Sequence, residues 1–156
     1  MLTRKEELEQ EAFEAGVRVE HISFQSDRIK GLYCDGSIAI NKSVKESAEE
    51  TCVLAEELGH YYTSSGIIID LSEVKNRKQE QLARMIAYNK CVGLRGLINA
   101  YEHGCQNLHE TAEFLDVTEC FLTDALESYR KKFGIYTMVD NYIVYFEPSL
   151  KIGKII

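Results

Sequence analysis

Apolar residues recur at helical spacing through the middle of the chain. Between Ser43 and Gly66, Ala48, Cys52, Ala55, Gly59 and Tyr62 fall on one stripe, widened by Thr51, Leu54 and Leu58. Ser43 followed three residues later by Glu46 predicts a capping-box start, and Gly66 after Ser64-Ser65 predicts the stop. The remaining elements are read around this central helix. Thr3 to Ala15 predicts an amphipathic helix with Leu8, Ala12 and Ala15 on its apolar side, ended by Gly16. Val17-Arg18-Val19 begins a strand running towards Phe24, and Arg28 to Ile40 reads as a hairpin turning at Asp35-Gly36. Three short antiparallel strands are thus expected before the central helix.

After Gly66, Ile67-Ile68-Ile69 is a brief β-branched run, read either as an edge strand or as core filling, and Asp70, Ser72 and Asn76 follow in a loop. A second long helix spans about Glu73 to Cys91, with Leu82, Met85, Ile86 and Tyr88-Asn89 on its inner side and Ala83 and Ala87 permitting close helix packing. Three shorter helices are predicted next: Leu94 to His103 closed by Gly104, Leu108 to Leu115 capped by Asn107, and Thr118 to Phe133 closed by Gly134. The last two have helix-turn-helix spacing, with Ala112, Leu115, Val117, Leu122 and Ala125 at the positions where the helices cross. Ile135 to Val139 and Tyr142 to Phe146 form a terminal hairpin around Asp140-Asn141. The expected class is α+β: a small antiparallel sheet on a helix pair, then a helical part with a short hairpin. The Val92-Gly93 joint divides the chain into residues 1–92 and 93–156.

Composition narrows the function. A chain of 156 residues with 45% hydrophobic positions can build its own core. The formal net charge of −7 disfavours non-specific binding to nucleic acid or an anionic membrane. No apolar run reaches membrane-spanning length and the first twelve residues lack a signal-peptide core, so a soluble, cytoplasmic protein is expected. Five cysteines without C-x-x-C spacing indicate neither a disulfide framework nor a thiolate zinc site.

The central helix carries the chemistry. Glu56 and His60 are one turn apart and point the same way at the edge of the apolar stripe, with Glu57 about 100° further round. Val53 on their side implies partial cover. This is the geometry of H-E-x-x-H, two metal ligands flanking a glutamate that acts as base to a metal-bound water, with Glu56 in the place of the first histidine. The same glutamates could equally form a solvated helix face near a helix N-terminus. Glu80, in a highly charged run, reads on its own as a surface residue.

The run LAEELGHYYTSSG, preceded by GLYCDGSIAIN and followed by QEQLAR, resembles the ImmA/IrrE family of metallopeptidases over most of the chain. The resemblance implies a zincin-like metal-site helix pair in residues 1–92, with Glu56 and His60 as ligands, Glu80 as third ligand from the following helix, and Glu57 as general base. It implies Zn2+, with Mn2+ or Fe2+ suited by the oxygen-rich set that Glu56 creates. Tyr61 and Tyr62 follow the site directly, either as transition-state stabilisers or as packing aromatics. His21, His103 and His109 share no motif with His60 and read as surface or core filler.

Many proteins of that family are encoded by phages or other mobile elements and cleave helix-turn-helix repressors. The implied function is therefore metal-dependent endopeptidase, with a repressor protein as substrate. The alternative is an antirepressor that binds its repressor without cleavage, Glu56 marking lost catalysis. Direct DNA binding by the helix-turn-helix-like unit is disfavoured because the exposed start of its second helix carries Glu119, Thr123, Asp124 and Glu127, with Arg130 only near its end.

Overall fold

A computed structural model describes residues 1–64 and 73–156, the side chains of 73–76 excepted. The expected helix stop at Gly66, the Ile67-Ile68-Ile69 run and the loop residues Asp70 and Ser72 lie outside the described residues. The protein is α+β, and its chain divides into two compact units, Met1–Ala87 and Tyr88–Ile156.

The first unit opens with α1 (Arg4–Glu14), started by a reciprocal cap in which the Glu6 amide donates to the Thr3 hydroxyl and the Thr3 amide to the Glu6 carboxylate. Leu8 and Ala12 are buried, whereas Ala15 is the exposed C-cap. Strands β1 (Arg18–Ile22), β2 (Gly31–Cys34) and β3 (Ser37–Asn41) form a sheet in the order β1-β3-β2. The β2-β3 hairpin turns at Asp35-Gly36, both with positive φ (51° and 80°), as a two-residue turn of matching twist requires. β1 joins β3 in parallel, Val19 opposite Ile38, so the sheet is mixed. Its central strand supplies Ile38 and Ile40, each 1% exposed.

Helix α2 (Ser47–Thr63) starts four residues later than its predicted cap. The reason is Asn41, buried at the end of β3: its amide donates to the Ser26 and Ile29 carbonyls at 3.1 and 2.8 Å, and its oxygen accepts the Ser43 amide at 3.1 Å. That side chain holds Ser43 in a turn before the helix, and Glu46 takes the N-cap position without a side-chain bond. Cys52, Leu54, Ala55, Leu58 and Gly59 are buried, and so is Val53 on the Glu56/His60 side. Tyr62, expected on the stripe, is 40% exposed.

Helix α3 (Glu73–Cys91) buries a narrow row of Ala83, Ala87, Tyr88 and Cys91. Leu82 and Asn89, expected on its inner side, are exposed. The small side chains are the inner side because they allow close approach of neighbouring backbone.

The second unit contains α4 (Gly93–Glu102), α5 (Leu108–Leu115) and α6 (Glu119–Phe133). Tyr129, 1% exposed, donates to the Asn89 side chain at 2.9 Å and accepts the Gly93 amide at 3.1 Å, tying α6 to the end of α3 and the start of α4. Ala112, Leu115, Val117, Leu122 and Ala125 are all buried where α5 meets α6. The turn between them uses Asp116 in the left-handed region (φ 55°) and Thr118 as N-cap. The expected hairpin is β4 (Tyr136–Val139) and β5 (Tyr142–Tyr145), extended by a third strand, β6 (Lys151–Lys154), that the pattern did not predict. No described helix is long and apolar enough to cross a membrane.

Candidate metal centre

Three of the implicated side chains, Glu56, Glu57 and His60, come from α2 and the fourth, Glu80, from α3. His60 Nε2 lies 3.3 Å from Glu80 Oε2, and the other Glu80 oxygen lies 3.3 Å from Arg84 Nε. The two helices therefore bring His60 and Glu80 together, as the expected packing required. What permits it is Gly59, one residue before His60: a Cβ there would overlap the Ala83 carbonyl, whose carbon would be 2.9 Å away. The Gln79 amide closes the same seam by donating to the Thr63 carbonyl at 3.1 Å.

Glu57 sits where α2 passes the edge strand β2. Burial, and then the negative charges of Glu56 and Glu80, push its carboxyl up to about 7, against a weaker downward pull from a backbone hydrogen bond of Tyr33. Glu56, one turn before His60, is half-buried. Tyr61 packs edge-on against Tyr33 and Tyr62, with ring centroids 6.0 and 5.0 Å apart. The Tyr62 hydroxyl donates to Glu11 of α1 at 2.9 Å, and burial together with that carboxylate pushes it up to about 12.

Among the described residues, no group of three or more His, Cys, Asp or Glu is gathered closely enough to hold a metal as it stands. The donor set nevertheless fits a divalent cation. An imidazole nitrogen and a carboxylate oxygen face each other across 3.3 Å, and burial, added to by the negative charges of Glu56 and Glu80, holds a proton on Glu57 near neutrality. A bound cation would relieve that repulsion.

The structure also forms a charged cluster that periodicity could not reveal. Glu50 of α2, only 8% exposed, has one oxygen 2.5 Å from His21 Nε2 of β1 and the other 2.9 Å from Lys5 Nζ of α1. His21 lies at the surface, as expected, and is in addition the hydrogen-bond partner of Glu50. His103 packs on Phe114, and His109 lies between Glu113 and Glu119 at 3.6 and 3.5 Å.

The family model Peptidase_M78, described as IrrE N-terminal-like domain, matches residues 12–127. No curated protein and no solved structure matches significantly.

Proposed function

The chain belongs to the ImmA/IrrE family of metallopeptidases, and from that premise we propose that it is a metal-dependent endopeptidase whose substrate is a helix-turn-helix repressor protein of a phage or mobile element. The observation that carries this reading is the meeting of His60 and Glu80 at 3.3 Å beside a Glu57 that exchanges its proton near neutral pH.

In this reading Glu56, His60 and Glu80 hold the cation, and Zn2+ is its expected identity. The cation, when bound, supplies Lewis-acid polarisation of the scissile carbonyl and a water acidic enough to attack it. Glu57 takes the proton of the attacking water and delivers it to the leaving amine as the peptide bond breaks, so no covalent link to the protein forms. Burial beside β2 limits the water around Glu57 and keeps its proton affinity high enough for both halves of that transfer. Tyr61 and Tyr62 then serve as packing around the helix end, Tyr62 through its bond to Glu11.

Glu56 sets the limits of the chemistry. Two carboxylates and one imidazole neutralise a divalent cation, whereas two imidazoles and one carboxylate leave it net positive, so water is acidified less here. The same oxygen-rich set accommodates Mn2+ or Fe2+. Position 56 also favours the second reading, an antirepressor that captures its repressor without cutting it. The acidic balance of the chain suits a basic DNA-binding protein as partner in either case.

Metal content by elemental mass spectrometry and repressor cleavage separate the readings. About one metal per chain, lost in His60→Ala and Glu80→Ala, with cleavage abolished in a metal-retaining Glu57→Gln variant, is the expected result. Repressor inactivation that persists unchanged in Glu57→Gln would move the protein to capture without hydrolysis.

A further inference from the structure

Gly31 in β2 has no conformational reason to be glycine. Its φ lies outside the positive region occupied by Gly16, Gly36, Gly93, Gly104 and Gly134, and it pairs with Ile40 in an ordinary antiparallel register. Glycine within a strand weakens it, so the position needs another explanation. That explanation is space. A Cβ on Gly31 would lie 2.6 Å from Val53 Cγ1, 3.1 Å from Glu57 Cγ and 3.2 Å from Glu57 Oε1. The stem and head of the glutamate lie directly against the bare strand.

The strand supplies a second hold. The Asn41 amide donates to the Lys30 carbonyl, which fixes the alternation of the β2-β3 ladder: Leu32 and Cys34 exchange bonds with β3, while Gly31 and Tyr33 direct their amides to the free edge. The Tyr33 amide, unused by β3, is the one directed at the Glu57 carboxylate. Glu57 therefore issues from α2 and is seated by β2, with Gly31 beneath its methylene and Tyr33 at its oxygens.

We propose that Gly31 is a positioning residue for Glu57, its missing side chain allowing the carboxylate to lie on β2 beside Glu56 and Glu80. The catalytic consequence rests on the peptidase reading above; the placement itself does not.

Amide spectra of the full chain test the placement without any substrate. Glu57→Ala should move the Tyr33 amide resonance, and Gly31→Ala should move it in the same direction. Removing the obstructing methyls in Gly31→Ala/Val53→Ala should return it towards the parent position, with Val53→Ala alone as control. A Tyr33 amide unmoved by Glu57→Ala overturns the placement whether or not the Gly31 variants fold, and so does an unmoved amide in a folded Gly31→Ala. On a repressor that the parent protein cuts, Gly31→Ala should lower kcat about 100-fold, as expected for a reacting group displaced by about 1 Å, with KM unchanged and activity regained in the double variant. Undiminished kcat in Gly31→Ala overturns the positioning role. If the parent cuts no repressor while the Tyr33 amide responds as expected, the peptidase reading fails and the seating of Glu57 on β2 stands.

Discussion

Gly59 and Ala83 meet through bare backbone: a Cβ on Gly59 would overlap the Ala83 carbonyl, with the carbonyl carbon 2.9 Å and the Cα 3.1 Å away. Backbone cannot yield as the end of a flexible side chain can, so Gly59→Ala must push α2 and α3 apart. The expected cost is about 2–3 kcal/mol, seen as a fall in Tm of roughly 5–10 °C, together with loss of metal retention as His60 and Glu80 separate. Gly153→Ala is the control, since nothing lies within 4 Å of its added Cβ. Equal Tm and equal metal content in the two variants would refute the tight crossing.

Two glutamates on α2 give the metal-stripped protein opposite responses to pH. Glu57, raised from 4.5 to about 7 by burial and by Glu56 and Glu80, keeps a proton in the folded chain that the unfolded chain releases. Stability contributed by that proton falls as pH rises from about 4.5 to about 7, by up to about 3 kcal/mol. For Glu50, burial pushes the carboxyl up, but hydrogen bonds and charges of His21 and Lys5 outweigh it and leave the net shift downward. Its contribution is full above 4.5, the ordinary carboxyl value, and is lost as pH falls through the lower folded value. Urea unfolding should show the neutral-side loss vanish in Glu57→Gln and the acid-side loss shrink in Glu50→Gln. Identical pH profiles in all three proteins would contradict both assignments.

In the proposed ligand set, Glu56→His exchanges a carboxylate oxygen for a second imidazole. The variant should prefer zinc over manganese more strongly than the parent, by about tenfold or more, equivalent to about 1.4 kcal/mol. Competition against a chromophoric chelator reads this directly. An unchanged preference would remove Glu56 from the ligand set, whatever became of activity.

The α5-α6 unit should not bind DNA. Glu119, Thr123, Asp124 and Glu127 are exposed on α6, its basic residues Arg130, Lys131 and Lys132 come only in the last turn, and Arg130 is held by Glu127 at 2.5 Å and Glu147 at 3.0 Å. Affinity for operator DNA should be weaker than about 10⁻⁴ M at physiological salt. A specific complex in a gel-shift titration, weakening steeply as salt is raised, would overturn this.

The helices, the Asp35-Gly36 turn and the i, i+4 relation of Glu56 and His60 were legible because each is written within one turn or one hairpin of sequence. The facing of Glu80 and His60 was legible only through the family resemblance, for an isolated Glu in a charged run carries no sign of its partner. The parallel pairing of β1 with β3 was not readable, because strand direction depends on a connection whose path leaves no periodic trace. β6 is not legible in the sequence because Lys151-Ile152-Gly153-Lys154 has one apolar residue and a glycine where a strand signal needs alternation. Lys5, His21 and Glu50 come from three separate elements, and no local spacing could join them. On α3 the close-packing Ala83 and Ala87 and the inner Tyr88 are legible and buried, whereas Leu82 and Asn89 are exposed, because the tight approach leaves room only for a narrow row.

The Asp35-Gly36 turn has a consequence for inheritance. Its two-residue length places Gly31 opposite Ile40 and leaves the Tyr33 amide on the outer edge. One inserted or deleted codon in that loop would slip the hairpin by one residue and exchange the faces of every side chain on β2. Leu32, on insertion, or Lys30, on deletion, would then confront Glu57 in place of Gly31. A frame-preserving change in a surface loop could thus silence the centre while leaving Glu56, Glu57, His60 and Glu80 untouched in the gene.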